Sequence, residues 1–224
     1  MIAYVIDDLF DIKYLADLEH TILEIPVKAT NVANPISFPH GRIGSHRLFG
    51  ECIFDRDGLN RVETLHKESS KFFDTFAIIE QEIFNSSIFL RRMDFNLQYY
   101  GQDGTTHVDG NEENEWTIML MTNTKWKSEW GGQFQLLDGD EVVEQHDYVP
   151  GRLIIFPGQV PHRGLAPLDR YAYRYTLVFR VFIDNPDVMR EDLTRRNKTY
   201  IIHTTGQDDA PQKSRNTEKT RSQH

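Results

Sequence analysis

Residues 173–183, YRYTLVFRVFI, decide the fold of this chain. Tyr173, Tyr175, Leu177, Phe179 and Val181 share one face of an extended strand, while Arg174, Thr176, Val178 and Arg180 take the other. The first face is made to lie on a core. The second carries arginines, and an arginine turned into a sandwich or barrel interior is a costly buried charge unless an anion meets it. A carboxylate-bearing ligand answers that need, because a guanidinium binds it bidentately and the Thr176 hydroxyl can add a hydrogen bond. The plainer alternative is a sheet-surface arginine paired with Asp or Glu.

Working outward from this strand, period-two segments recur upstream at 88–92, 94–100, 116–122, 133–137, 141–149 and 153–156, with Asp138-Gly139 as a hairpin signal between two of them. Ahead of these lie a short strand at AYVID and a helix that Asp7 or Asp8 would cap, with Leu9, Ile12, Leu15, Leu18 and Ile22 at helical spacing. An irregular Pro/Gly-rich loop at 26–50 and a second amphipathic helix at about 58–84 follow. Two helices before a run of short strands predict an α+β domain whose β part is a sandwich or barrel. The domain is expected to span 1–205, with its β core at about 88–183 and one more helix within PDVMREDLTRRN. The polar stretch 206–224 reads as a disordered tail.

At 224 residues the chain can bury a full core. It lacks any apolar run long enough to span a membrane, and its N-terminus has no basic region of the kind secretory signals carry. The single Cys52 excludes an intrachain disulfide and, with no signal, points to a reducing, cytoplasmic setting. A formal charge of −9 argues against nucleic acid as the main partner.

His107-Val108-Asp109 places an imidazole and a carboxylate on one side of an extended segment, where both reach one metal. By composition alone such a pair arises about once per chain by chance, and His66-Lys67-Glu68, in the second predicted helix, is a chance match of this kind. The context of His107 is different. It follows a strand and the Gly-rich YYGQDGTT, which sets it at a barrel mouth. A third ligand must come from far along the chain, and His162 in FPGQVPHRG follows the apolar LIIF, with Pro157, Gly158 and Pro161 fixing the turn. Two His and one carboxylate leave open positions on iron for co-substrate and O2.

The ordered set Tyr99-Tyr100-Gly101, His107-x-Asp109, Gly131-Gly132-x-Phe134, Gly151-Arg152-Leu153-Ile154-Ile155-Phe156, His162 and Arg174-x-Thr176 resembles the 2-oxoglutarate/Fe(II) oxygenase superfamily, in its prolyl-4-hydroxylase-like branch, over roughly residues 1–183. The resemblance implies a double-stranded β-helix (jelly-roll) with two N-terminal supporting helices. It implies Fe(II) on His107, Asp109 and His162, and 2-oxoglutarate on Arg174 and Thr176, helped by Tyr99 or Tyr100. O2 is then a substrate and ascorbate an accessory reductant. Many prolyl-4-hydroxylases carry Lys where this chain has Arg174, so the substrate class stays open between a peptidyl side chain and a small amino-acid-like metabolite. Trp116, Trp126 and Trp130, together with His40, Arg42, His46 and Arg47 of the 36–50 loop, are the candidate substrate contacts, and His146-Asp147 is expected at the surface. The competing class is a cupin-type jelly-roll protein that binds metal or modifies sugars without 2-oxoglutarate.

Overall fold

The computed structural model describes residues 2–31, 48–56, 69–84 and 87–184. Strand β1 (Tyr4–Ile6) runs into a turn where Asp8 takes a φ of 63°, and helix α1 (Ile12–Leu23) begins only after Asp11. Asp11 is therefore the cap, its carboxylate accepting from the Tyr14 amide at 2.7 Å, and not Asp7 or Asp8. Asp7 is spent elsewhere, on a bidentate pair with Arg152 at 2.8 Å. Replacing Asp11 by Ala is expected to remove about 1 kcal/mol of stability. Thermal unfolding followed by circular dichroism should register that loss as a shift of about 2–4 °C.

The stretch 26–50 is less irregular than its Pro and Gly content suggests. It contains β2 (Lys28–Asn31) and the start of β3 (Leu48–Asp55), antiparallel to each other. His40, Arg42, His46 and Arg47 lie outside the described residues. Helix α2 is described from Ser69 to Ile83 (Ser69–Ile83) and buries Phe72, Phe76, Ile79 and Ile83, while the first part of the predicted helix, with His66, is not among the described residues. The final helix within PDVMREDLTRRN, the domain limit at 205 and the tail at 206–224 also lie outside them.

The remaining strands are β4 (Phe89–Tyr99), β5 (Glu115–Met121), β6 (Phe134–Asp138), β7 (Glu141–His146), β8 (Leu153–Pro157), β9 (His162–Gly164) and β10 (Tyr173–Phe182). The segments expected at 88–92 and 94–100 form one continuous strand. Seven strands make a sheet in the order β1-β8-β5-β10-β4-β3-β2, and β7-β6-β9 make a smaller one. One face of the large sheet, with Phe95, Ile118, Leu120, Ile155, Leu177 and Phe179, packs on the buried faces of α1 and α2. The other, with Met119, Met121, Ile154 and Phe156, meets Phe134 and Leu136 of the small sheet and Tyr148. This is the expected jelly-roll with two supporting helices. Gly139 turns β6 into β7 with a φ of 58°. No described helix is long and apolar enough to cross a membrane.

Candidate metal centre

The alternation of β10 holds. Arg174 lies opposite Gln98, Thr176 opposite Asn96 and Met121, and Arg180 opposite Arg92 and Thr117, all on the face turned toward the small sheet. Past the end of β4, His107 pairs antiparallel with His162. Each amide donates to the other's carbonyl, at 3.1 and 2.9 Å, which brings the imidazole centroids to 4.3 Å. His162 is wedged against Phe134 and Phe156. The Nδ1 of His107 lies 2.8 Å from the Thr105 carbonyl, and that of His162 lies 2.9 Å from the Val160 carbonyl. A carbonyl only accepts, so both Nδ1 atoms carry hydrogen, and each Nε2 is the ring nitrogen turned toward Asp109.

Asp109 is placed by its own amide and that of Gly110, which both donate to the Gly158 carbonyl at 2.9 and 3.1 Å. A Cβ at Gly110 would collide with the Glu115 carboxylate, which accepts from the Asn111 and Glu112 amides, so only glycine fits this turn. One Asp109 oxygen accepts from the Thr117 hydroxyl at 2.8 Å and lies 3.4 Å from His162 Nε2. The other meets Arg180 Nη2 at 2.8 Å and lies 3.8 Å from His107 Nε2. Burial favours the neutral acid, but Arg180, His162 and His107 outweigh it and hold the Asp109 carboxyl well below the usual carboxylate range. The three ligand atoms lie within 4.8 Å of one another, a set of two imidazole nitrogens and a carboxylate oxygen able to hold a divalent first-row metal.

Arg174 is 2% exposed. Its Nε donates to the Gly132 carbonyl at 2.9 Å and its Nη1 to Gln98 Oε1 at 2.7 Å, while Nη2 is buried without a partner. Burial pushes its pKa down to about 10, against the influence of Tyr148, over whose ring the guanidinium carbon sits at 5.2 Å. Among the described residues no carboxylate pairs with it, so the surface ion pair considered for this arginine is not what the fold contains. A cation with an unspent donor, beside the buried Thr176 hydroxyl, fits an incoming carboxylate. Gly164 makes room for it, since a Cβ there would stand 3.1 Å from Nη1 and 3.2 Å from Nη2.

The other sequence candidates separate. The register puts Gln98, not Tyr99, opposite Arg174. Tyr99 pairs with Tyr173 on the far face and stacks on Phe49, and Tyr100 is exposed in the turn after β4. Neither hydroxyl is brought to Arg174; Gln98 holds the guanidinium instead, anchored by its own bonds to the Gln102 and Gly164 carbonyls, both at 2.9 Å. Trp116 is buried on the helix side of β5, next to Tyr4, because its neighbour Thr117 takes the site face. Trp130 packs edge-on against Trp126 in a short 3-10 turn, and Trp126 donates to the Gly131 carbonyl at 3.0 Å. His146 is buried beside Glu144, correcting the expectation of a surface residue, while Asp147 is exposed. Cys52 shares the site face with Asp94, and burial together with that carboxylate pushes its thiol up to about 12. Alkylation of Cys52 at pH 8 is expected to be slower by orders of magnitude in the folded protein than in urea, as mass spectrometry of iodoacetamide-treated samples would show.

Residues 95–180 match the family described as 2OG-Fe(II) oxygenase superfamily. No curated protein matches the chain. Among solved structures, it is similar to an oxidoreductase of the 2OG-Fe(II) oxygenase family from Burkholderia pseudomallei (17% identity, 78% of this chain and 81% of that one, TM-score 0.57). It is also similar to a prolyl hydroxylase from Trichoplax adhaerens in complex with a hypoxia inducible factor peptide fragment (18% identity, 80% and 83%, TM-score 0.52). A Pseudomonas putida prolyl-4-hydroxylase is a third such structure (16% identity, 82% and 93%, TM-score 0.50). At these identities the structures establish the shared fold.

Proposed function

We propose that His107, Asp109 and His162 bind Fe(II), and that Arg174 with Thr176 holds 2-oxoglutarate, in a chain whose residues 95–180 are those of the 2OG-Fe(II) oxygenase superfamily and which is thus an Fe(II)- and 2-oxoglutarate-dependent dioxygenase. The observation that carries the assignment of residues is the unpartnered Nη2 of Arg174, buried on the face of the large sheet turned toward the small sheet that carries His162. Held there, Fe(II) would supply the oxidative chemistry by which O2 and 2-oxoglutarate give succinate and CO2. The chain supplies the geometry. Carbonyls of Thr105 and Val160 fix the imidazole tautomers, Thr117 and Arg180 fix the carboxylate, and Phe134 and Phe156 keep water from His162.

Anaerobic titration of the Fe(II) protein with 2-oxoglutarate tests this. The expected result is a weak visible charge-transfer band, followed by succinate on admission of air. If neither signal develops, the assignment is wrong. The finer reading is hydroxylation of a peptidyl side chain or of a small amino-acid-like metabolite. The first draws support from the peptide complex of the Trichoplax protein. The cupin-type alternative has no use for a buried cation aimed at a carboxylate.

A further inference from the structure

Two arginines stand opposite each other on the site face, Arg92 of β4 and Arg180 of β10, and they are provided for unequally. Arg92 is saturated: it forms a bidentate pair with Asp94 at 2.7 and 2.8 Å and reaches Asp55 at 3.2 Å. Arg180 has one carboxylate, Asp109, at 2.8 Å from its Nη2, and that carboxylate is the one a metal claims. Its Nε is buried without a partner, while the side chain as a whole is 32% exposed, so Arg180 lies at the edge of solvent with that donor unspent. Buried donors in folded proteins are nearly always used, and an unused one on an arginine at the edge of solvent is a vacancy for an acceptor. A metal ion at Asp109 would share that carboxylate's charge, so the guanidinium keeps its contact to one Asp109 oxygen but has only part of an anion, with Nε still unspent. A planar carboxylate is the complement of this fork.

We infer that Arg180 binds a carboxylate of the substrate, and that the substrate is a small free acid, such as an amino acid, carrying that carboxylate a few bonds from the carbon that reacts. The inference rests on the iron and 2-oxoglutarate assignments above. Smallness follows from place: Arg180 touches a metal ligand, so whatever it holds lies beside the metal. An internal peptide segment has no backbone carboxylate to offer at such a short reach.

The test uses free L-amino acids, the same compounds as carboxamides, and doubly capped peptides with an internal Asp, on the full chain. Free acids should raise succinate production above the unstimulated rate and the carboxamides should not. Arg180→Gln should lower kcat/KM for the best acid by at least about a hundredfold, mostly through KM, and Arg180→Lys should restore part of it. On the catalytically inert Zn(II) protein with 2-oxoglutarate, saturation-transfer NMR should show the acid bound to wild type and lost from Arg180→Gln. Iron content and the 2-oxoglutarate charge-transfer band of the variants report separately on the underlying site, so a lost band condemns that site and not the carboxylate contact. Three results overturn the inference with the band intact: acids and carboxamides stimulating alike, stimulation by peptides alone or by none of the probes, or an Arg180→Gln variant equally impaired toward acids and carboxamides, which would leave Arg180 as a positioner of Asp109 only.

Discussion

Asp109→Ala is expected to abolish succinate production and to weaken Fe(II) binding by at least about a hundredfold, measured as iron retained after gel filtration. That is the upper end of what losing a ligand's supporting contacts does, and here a ligand itself goes. The same substitution strands two groups. Arg180 Nη2 and the Thr117 hydroxyl both bond to Asp109 at 2.8 Å, and neither has an equivalent acceptor once it is gone. Breaking a buried ion pair is strongly destabilising, but Arg180 is about a third exposed and solvent recovers much of that loss. A drop of about 1–2 kcal/mol in metal-free stability follows. Wild-type turnover in this variant would remove Asp109 from the site.

Arg174→Met should separate binding from stability in the opposite way. The distal carboxylate of 2-oxoglutarate would lose a charge-assisted, bidentate partner, a change of about 3 kcal/mol or more and hence at least about a hundredfold in Kd. The fold should barely notice. Removing a fully buried, anion-less cation is favourable, while leaving Gln98 Oε1 and the Gly132 carbonyl without their donors costs about as much. Isothermal titration with 2-oxoglutarate and thermal unfolding of the same sample check the two halves. A large fall in Tm together with normal affinity would mean that Arg174 is a structural residue.

The parts of this site legible in the sequence are those where chemistry and period coincide. The alternation of β10 placed Arg174, Thr176 and Arg180 on one face without knowledge of their neighbours, and two histidines with a carboxylate near turns pointed to a metal. What remained hidden depends on pairing. Tyr99 and Gln98 are adjacent, and only the register with β10 shows that Gln98 faces Arg174 and Tyr99 does not. Trp116 and Thr117 divide in the same way, the aromatic going to the helices and the hydroxyl to Asp109. The start of β3, residues 48–50, reads as loop because it lies in a Gly-rich context, yet Gly50 is required where the strand crosses the β4 backbone. Asp11 is the cap although the sequence points to Asp7 or Asp8, because nothing local reveals that Arg152, from across the sheet, claims Asp7.

The reciprocal amide bonds between His107 and His162 also bear on the order in which the molecule is assembled. They tie together two segments far apart in sequence, so the coordination sphere closes only after both sheets have met, through contacts that form slowly because long loops must close first. A metal ion held by His107, Asp109 and His162 would therefore meet a cradle whose ordering cost the backbone has already borne. Holding iron there would stabilise the whole domain by mass action, in proportion to the logarithm of its free concentration over Kd. Resistance to unfolding would in this way follow the supply of metal.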